Sequence, residues 1–511
     1  GTKGLGLFPQ NADEDYPYFG EFHGDHNVLA SALRRRAFRA DGSGRVSPIH
    51  RTIAEFLAAK FLVHRIREGL PLKRVLALLT GFDGGTLAEL RGVYAWLACL
   101  CEEESAILID RDPLGIILYG DAAILSLLSR QLLIKSLRDL AKKNPSFRAE
   151  NWSAEQFGAL VSADLAPIFA QILKDQEESP VFLDCILDAI EHGPLLPELG
   201  HDLLKILYDP TRAGENRVSA LAAFRHTLPN DREALKTLLE DINEERVLDD
   251  NRRLRGILLY ALYPATIRPN EIGRYLVQEA EHHINAYTTF VAKDLVLLTN
   301  PEELPLILSE VNALNFAGNP DHYIWREFIG HLILQILVHH GETAPAVQLY
   351  DWLGKALDQY WQPVADQEET AAIQRWLSSH PTVPLALFHH WLSITPFESP
   401  VLEYNDFWAR LYNVNPPEGF PQWLLQLAGT QSNTTKADFL FRESVRMSAS
   451  SQRRDGLTLK EFWEFTRHND RFRGVLEIEL CWNIPTWAIK KALRKKEKTR
   501  QRESRRAVNF Q

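Results

Sequence analysis

Apolar side chains recur three or four residues apart along almost the whole of this 511-residue chain, while strand-like alternation is rare. Leu203-Leu204-x-x-Leu207 and Leu221-x-x-Phe224 show the pattern, which places apolar groups on one face of a 3.6-residue helix. Helices of about 10–18 residues are predicted to follow one another, with short breaks at Pro and Gly. The fold class expected is all-α.

The first seventy residues depart from that pattern. Leu29 to Phe38, a turn at Asp41-Gly42-Ser43-Gly44, and Arg45 to His50 read as a β-hairpin, because glycine supplies the positive φ of a tight turn. A helix should follow directly, with Thr52-x-x-Glu55 as its capping box and Ile53, Phe56, Leu57 and Phe61 as its apolar stripe. Helix, hairpin and capped helix in that order are expected at the end of a winged-helix domain, placed here at residues 1–70.

Residues 71–150 read as a helical linker and 151–310 as HEAT-like helical repeats. Two stretches look like copies of one unit. Leu207-Tyr208-Asp209-Pro210 leads through Arg217 to Asp231, and Val247-Leu248-Asp249-Asp250 leads through Arg253 to Pro269. Their spacing is near the ~40 residues of HEAT repeats, whose helix pairs must stack on neighbours to bury their apolar faces. Chance similarity between amphipathic helices is the competing account. Residues 311–489 form a third region, in which ten of the 12 tryptophans lie. Core packing is the commoner fate of tryptophan; a groove lined with aromatics is the alternative.

Residues 490–511 form a basic tail, with ten Lys/Arg against Glu497 and Glu503 between Lys490 and Arg506. The formal net charge of −10 therefore divides into a tail of +8 and a body of −18. Such a tail either binds phosphates or an acidic partner, or is a charged terminus. No window approaches ~18 uninterrupted apolar residues, so no membrane partner is expected. Cys99, Cys101, Cys185 and Cys481 are too few for a disulfide framework, and no signal segment opens the chain, which reads as cytoplasmic. A single methionine, Met447, and the opening Gly1-Thr2-Lys3-Gly4 suggest a processed or truncated start.

The stretch from Ser47 to Leu62, Ser-Pro-Ile-His-Arg-Thr-Ile-Ala-Glu-Phe-Leu-Ala-Ala-Lys-Phe-Leu, resembles the signature that closes the winged helix of NACHT-type STAND ATPases. That family includes animal NOD-like receptors and bacterial Avs-like antiviral proteins. Gly92 to Ala98 and Asp112 to Asp121 are similar to the segments downstream of the signature in bacterial members. The resemblance implies an effector, a P-loop ATPase core, a winged helix and a helical sensor arm. It also implies that His50 contacts the β-phosphate of bound ADP in the inactive state. An imidazole N–H suits this role as a directional donor; a strand-end histidine satisfied by backbone is the plainer reading. The chain departs from the family in lacking G-x-x-x-x-G-K-[ST], since Gly354-Lys355-Ala356 supplies neither the upstream glycine nor the hydroxyl. ADP or ATP with Mg²⁺ would then be held in a parent protein whose NACHT ATPase and effector domains lie upstream, and by nothing in this chain alone.

No catalytic constellation emerges. The pairs His282-His283, His339-His340 and His389-His390 have the wrong spacing for metal, no H-E-x-x-H occurs, and Cys99-x-Cys101 lacks a second pair. There is no G-x-S-x-G. The chain is therefore not read as an enzyme; the resemblance implies instead a sensor that recognises a phage protein, with terminase and portal as candidates. Ligand capture would release the His50 latch and permit homo-oligomerisation. Trp325, Arg326, Trp352, Trp361, Trp376, Trp391 and Trp408 are the ligand-facing candidates, since Trp and Arg anchor interfaces. The alternative is a free-standing helical scaffold that binds protein or nucleic acid through its concave face or basic tail.

Overall fold

The computed structural model describes residues 4–22, 24–149, 154–277, 284–314, 323–357, 362–449, 455–480 and 495. These are mostly helical with very little strand. The chain divides into two compact units, Gly1–Leu258 and Leu259–Gln511. The division falls inside the stretch read from sequence as one run of repeats.

Unit 1 opens with a small mixed module. Strand β1 (Leu5–Gly6) is followed by helix α1 (His26–Leu33) and by strands β2 (Phe38–Ala40) and β3 (Arg45–Pro48). The strands are antiparallel in the order β1-β3-β2, with Arg39 opposite Ser47 and Leu5 opposite Val46. The predicted hairpin is present, with Gly42 and Gly44 at φ of 80° and 77° and the Asp41 carboxylate accepting from the Ser43 N–H at its tip. Its first arm is shorter than expected. Residues from Leu29 to Leu33 are helical, because the Asp25 carboxylate accepts from Asn27 and Val28 N–H and starts α1 just upstream.

Helix α2 (Arg51–Arg67) leaves β3 directly. His50 is its N-cap, in extended geometry, so the expected capping box at Thr52 does not form. The Glu55 carboxylate is taken instead by Arg51 Nε at 2.7 Å, one helical turn back. A capping box does form in unit 2, at Thr458 and Glu461.

Nine further helices follow in unit 1: α3 (Leu72–Leu79), α4 (Arg91–Leu100), α5 (Ser105–Arg111), α6 (Pro113–Tyr119), α7 (Leu127–Lys143), α8 (Ala166–Lys174), α9 (Pro180–His192), α10 (Gly200–Tyr208) and α11 (Gly214–Thr227). Helix α12 (Arg232–Asn243) follows, and α13 (Arg253–Leu262) carries the division between units. Many of these helices pack on the next but one, α2 on α4, α4 on α6, α5 on α7, α7 on α9, α9 on α11 and α8 on α10, and some also on the next, as α10 does on α11. The fully buried Tyr94, Phe157, Phe169, Phe182 and Phe224 supply the core between them.

Unit 2 contains α14 (Ala286–Thr289), which runs through a π-helical turn (Phe290–Asp294) into α15 (Leu295–Leu298). Then come α16 (Leu304–Ala313), α17 (Tyr323–His340), α18 (Ala346–Lys355), α19 (Gln367–Ser379), α20 (Thr382–Ile394), α21 (Pro400–Arg410), α22 (Phe420–Thr430), α23 (Thr434–Ala449) and α24 (Leu459–Thr466). Skip-one packing recurs: α15 on α17, α17 on α19, α16 on α18, and α18 on α20.

The two stretches read as copies share a physical device. Arg217 and Arg255 are both buried, and each guanidinium closes the C-terminal end of the preceding helix. Arg217 donates from Nε and Nη2 to the Leu207 carbonyl at 3.0 and 2.8 Å, and Arg255 Nη1 donates to Asn243 Oδ1 at 2.9 Å. The Arg217 contact satisfies a last-turn carbonyl that its helix leaves unpaired, whereas the Arg255 contact is to the side chain of the last residue of α12. Longer links tie successive helix pairs in both units. Asn216 reaches the Pro180 carbonyl, His226 that of Gly193, His340 that of Pro301, Arg326 that of Ala365, and Gln374 that of Tyr412. These links span 33 to 39 residues, so one helix pair of sequence separates the partners.

Candidate functional site

His50 lies two residues past the end of β3, as the N-cap of α2, and it is exposed. Its ring makes no cap hydrogen bond to α2. Beside it, Arg51 is held by Glu55 and also donates to the Glu89 carbonyl. The Glu55 side chain is only 15% exposed and lies over Gly92 in the first turn of α4. Phe56 meets Trp96 edge-on, with centroids 5.1 Å apart. Within the signature-like stretch, then, Arg51, Glu55 and Phe56 lock α2 onto α4, and His50 faces out.

The tryptophan candidates stand differently. Trp325, Trp352, Trp391 and Trp408 are all buried at 9% exposure or less. Trp325 packs edge-on against Phe328, and Trp352 against His340. Trp391 and Trp408 belong to one aromatic cluster centred on Phe388 and Phe407, with centroid distances near 5 Å. Phe420 and Trp423 extend it. Aromatic pairs at such offsets add to the apolar burial that holds the helices together. These four indoles have little surface to offer a ligand. Trp376 is half-buried and stacked on His380 at 4.1 Å, and Arg326 donates to the Ala365 carbonyl at 3.0 Å, tying α17 to the segment before α19. Trp361, Cys481 and the basic tail, apart from Lys495, lie outside the described residues.

Trp463, absent from the candidates, is 50% exposed. With Leu459, Lys460, Glu464 and Arg467 it frames an open groove of about 580 Å³ on α24. The Arg473 guanidinium lies 5.8 Å from its ring. A sequence signal for this was available: the Thr458-x-x-Glu461 box fixes the helix start, Phe462 and Thr466 form its buried face, and Leu459, Trp463 and Arg467, spaced four apart, share an adjoining exposed stripe.

Buried ionisable groups elsewhere are structural. Arg148 joins Asp188 at 2.7 Å and lies over Phe157, and Asn216 Nδ2 donates to Asp184 at 2.7 Å. Burial pushes the Cys99 thiol up to about 11 and the Cys185 thiol up to about 12, which leaves neither a nucleophile. Among the described residues no group of three His, Cys, Asp or Glu could hold a metal ion, and no helix is long and apolar enough to cross a membrane. Compared with known protein families, curated proteins and solved structures, the chain matches none.

Proposed function

We propose that this chain is the sensor region of a NACHT-type STAND ATPase in bacterial antiphage defence, and that it acts by binding a phage protein. The observation that carries the proposal is the skip-one helix packing, which recurs within each unit behind a helix-hairpin-helix module. Helix pairs stacked in this way present repeated side chains along an extended surface, the architecture suited to reading the shape of a large partner. We read these pairs as HEAT-like repeats and the opening module as the end of a winged helix.

His50 suits the latch role because it is exposed and its ring caps nothing within its own helix. On this reading its imidazole donates to a phosphate of ADP held by an upstream ATPase domain, and ligand capture opens that contact. Capture shifts the equilibrium only if the phage protein binds the open form more tightly. The ligand surface is placed at the exposed Trp463 groove, in place of the buried tryptophans. A half-exposed indole beside Lys460 and Arg467 is the kind of anchor that concentrates binding energy.

The test uses purified chain and individually expressed phage terminase and portal proteins, followed by size-exclusion chromatography. One of them should co-elute with the chain, and the Trp463→Ala/Arg467→Glu variant should lose that complex while keeping its helical circular dichroism. Failure of every tested phage protein to bind, or equal binding by the variant, would reject this assignment.

A further inference from the structure

We infer that the N-terminal module binds single-stranded nucleic acid, with a base in a pocket between α1 and the hairpin and phosphates on the arginines at its rim. The pocket has a volume of about 340 Å³ and is lined by Phe8, Phe19, Leu33, Arg34, Phe38 and Val46 among others. That is at the small end of the range for small-molecule sites, ~300–1,000 Å³. Its apolar walls are not closed off by the fold: Phe8 is 54% exposed, and Phe19 and Phe38 are half-buried. Three phenylalanines around one opening offer stacking faces that accept any base.

The charge at the rim decides which planar ligand fits. Residues 34 to 39 read Arg-Arg-Arg-Ala-Phe-Arg, and Arg34, Arg35, Arg36 and Arg39 are all exposed. None of them forms an ion pair among the described residues, in a chain whose net charge is −10. Three acids of the module are already engaged, while Glu14 and Glu21 are exposed. Asp25 caps α1, Asp13 pairs with Arg45, and Asp41 accepts from Ser43 and from the Arg45 N–H. A cation near the end of α1 is favoured by the helix dipole, which accounts for one arginine and not for three.

The arginine run is also held in place. Arg34 follows the last turn of α1, the Arg35 N–H donates to the Ala32 carbonyl, and the Phe38 N–H donates to the Arg35 carbonyl. Phe38 then enters β2, the edge strand of the sheet, opposite Pro48. Because side chains alternate along a strand, Phe38 and Ala40 face the pocket while Arg39 points to the other side. Arg34 to Arg36 are therefore the phosphate contacts, fixed next to the base site, and Arg39 is a weaker one.

Fluorescence anisotropy with a labelled 15-residue oligothymidylate, using the full chain between 50 and 200 mM salt, tests this. The wild type should bind with affinity that falls with salt. Replacing Arg34, Arg35 and Arg36 together by alanine should make the log–log salt slope shallower by about 2, from ~0.7 per phosphate contact. Phe8→Ala should weaken binding about tenfold, as expected for one lost base stack, and leave the slope unchanged. All four positions are exposed, so folding should be unaffected, which circular dichroism checks. The proposal is overturned by absence of binding at 50 mM salt, by affinity for the matching duplex equal to that for the single strand, or by unchanged binding in the triple-arginine variant. The last result would place the site elsewhere in the chain, the basic tail included.

Discussion

The carboxylate of Glu55 lies so close over Gly92 that a β-carbon there would collide with its Oε2. This contact lets α2 and α4 approach, with Arg51 holding the carboxylate from one side and the edge-on Phe56 and Trp96 pair adjoining. Gly92→Ala should therefore destabilise the protein by about 1–3 kcal/mol, the usual cost of overpacking. The displaced atoms are the end of a flexible side chain, so the cost should shrink when Glu55 is also alanine. A double-mutant cycle by urea denaturation measures this, and additive effects would show that the two residues do not interact.

Arg217 should be as sensitive for a different reason. Its guanidinium is 3% exposed and satisfies the Leu207 carbonyl with two hydrogen bonds. Asp209, Asp249 and Asp250 favour its charge, while burial opposes it. Arg217→Met keeps the aliphatic volume and leaves that carbonyl unpaired, at an expected cost of about 1–3 kcal/mol. Thermal or urea unfolding checks this. The equivalent Arg255→Met should behave alike if the two stretches are structural copies, and a negligible effect at Arg255 would separate them.

The helical character of the chain was legible in its sequence because periodicity reports which face is buried. The hairpin was legible because Gly42 and Gly44 must take positive φ. Element boundaries were less so. Asp25 gave a capping signal that starts α1 upstream of the strand read there, and Arg51 competes successfully for the Glu55 carboxylate that a box at Thr52 would need. The tryptophans illustrate the limit of composition. Of the ten after residue 320, Trp391, Trp408 and Trp423 join the Phe388 cluster, and which indole stays exposed depends on tertiary neighbours that spacing alone does not name. The phenylalanine pocket was invisible for the same reason: Phe8, Phe19 and Phe38 are far apart in sequence and meet only through the sheet.

The described cysteines should be silent to thiol reagents in the native state. Cys99, Cys101 and Cys185 are buried, and desolvation raises all three thiols. Since the thiolate is the reactive form, native labelling with iodoacetamide at pH 8 followed by mass mapping should leave these three unmodified. Labelling in guanidinium should modify all of them. Modification of Cys185 without loss of fold would contradict its burial.

Glu369 should give unit 2 a pH dependence opposite to that of an ordinary salt-bridged carboxylate. The hydrogen bond from the Glu369 carboxyl, together with the cap of α19 in which Asp366 accepts from the Glu368 and Glu369 N–H groups at 2.8 and 3.2 Å, holds Asp366 below its usual range. Glu369, partly buried and hydrogen-bonded to Asp366, keeps the proton and is pushed up to about 7. Its folded pKa thus exceeds its unfolded one, so the folded state binds the extra proton. The stability from this group is full below about 4.5 and is lost as pH rises towards 7. Asp366 works the other way, contributing above 3.8 and losing its contribution as pH falls through its depressed value. Glu369→Gln keeps a neutral hydrogen-bonding group at the site and removes the titration. Urea midpoints compared at pH 5 and pH 7.5 should therefore show a variant that gains on the wild type at the higher pH and roughly matches it at the lower. A constant difference between the two proteins across that range would mean that Glu369 is already ionised at pH 5, and that Asp366 does not hold its proton.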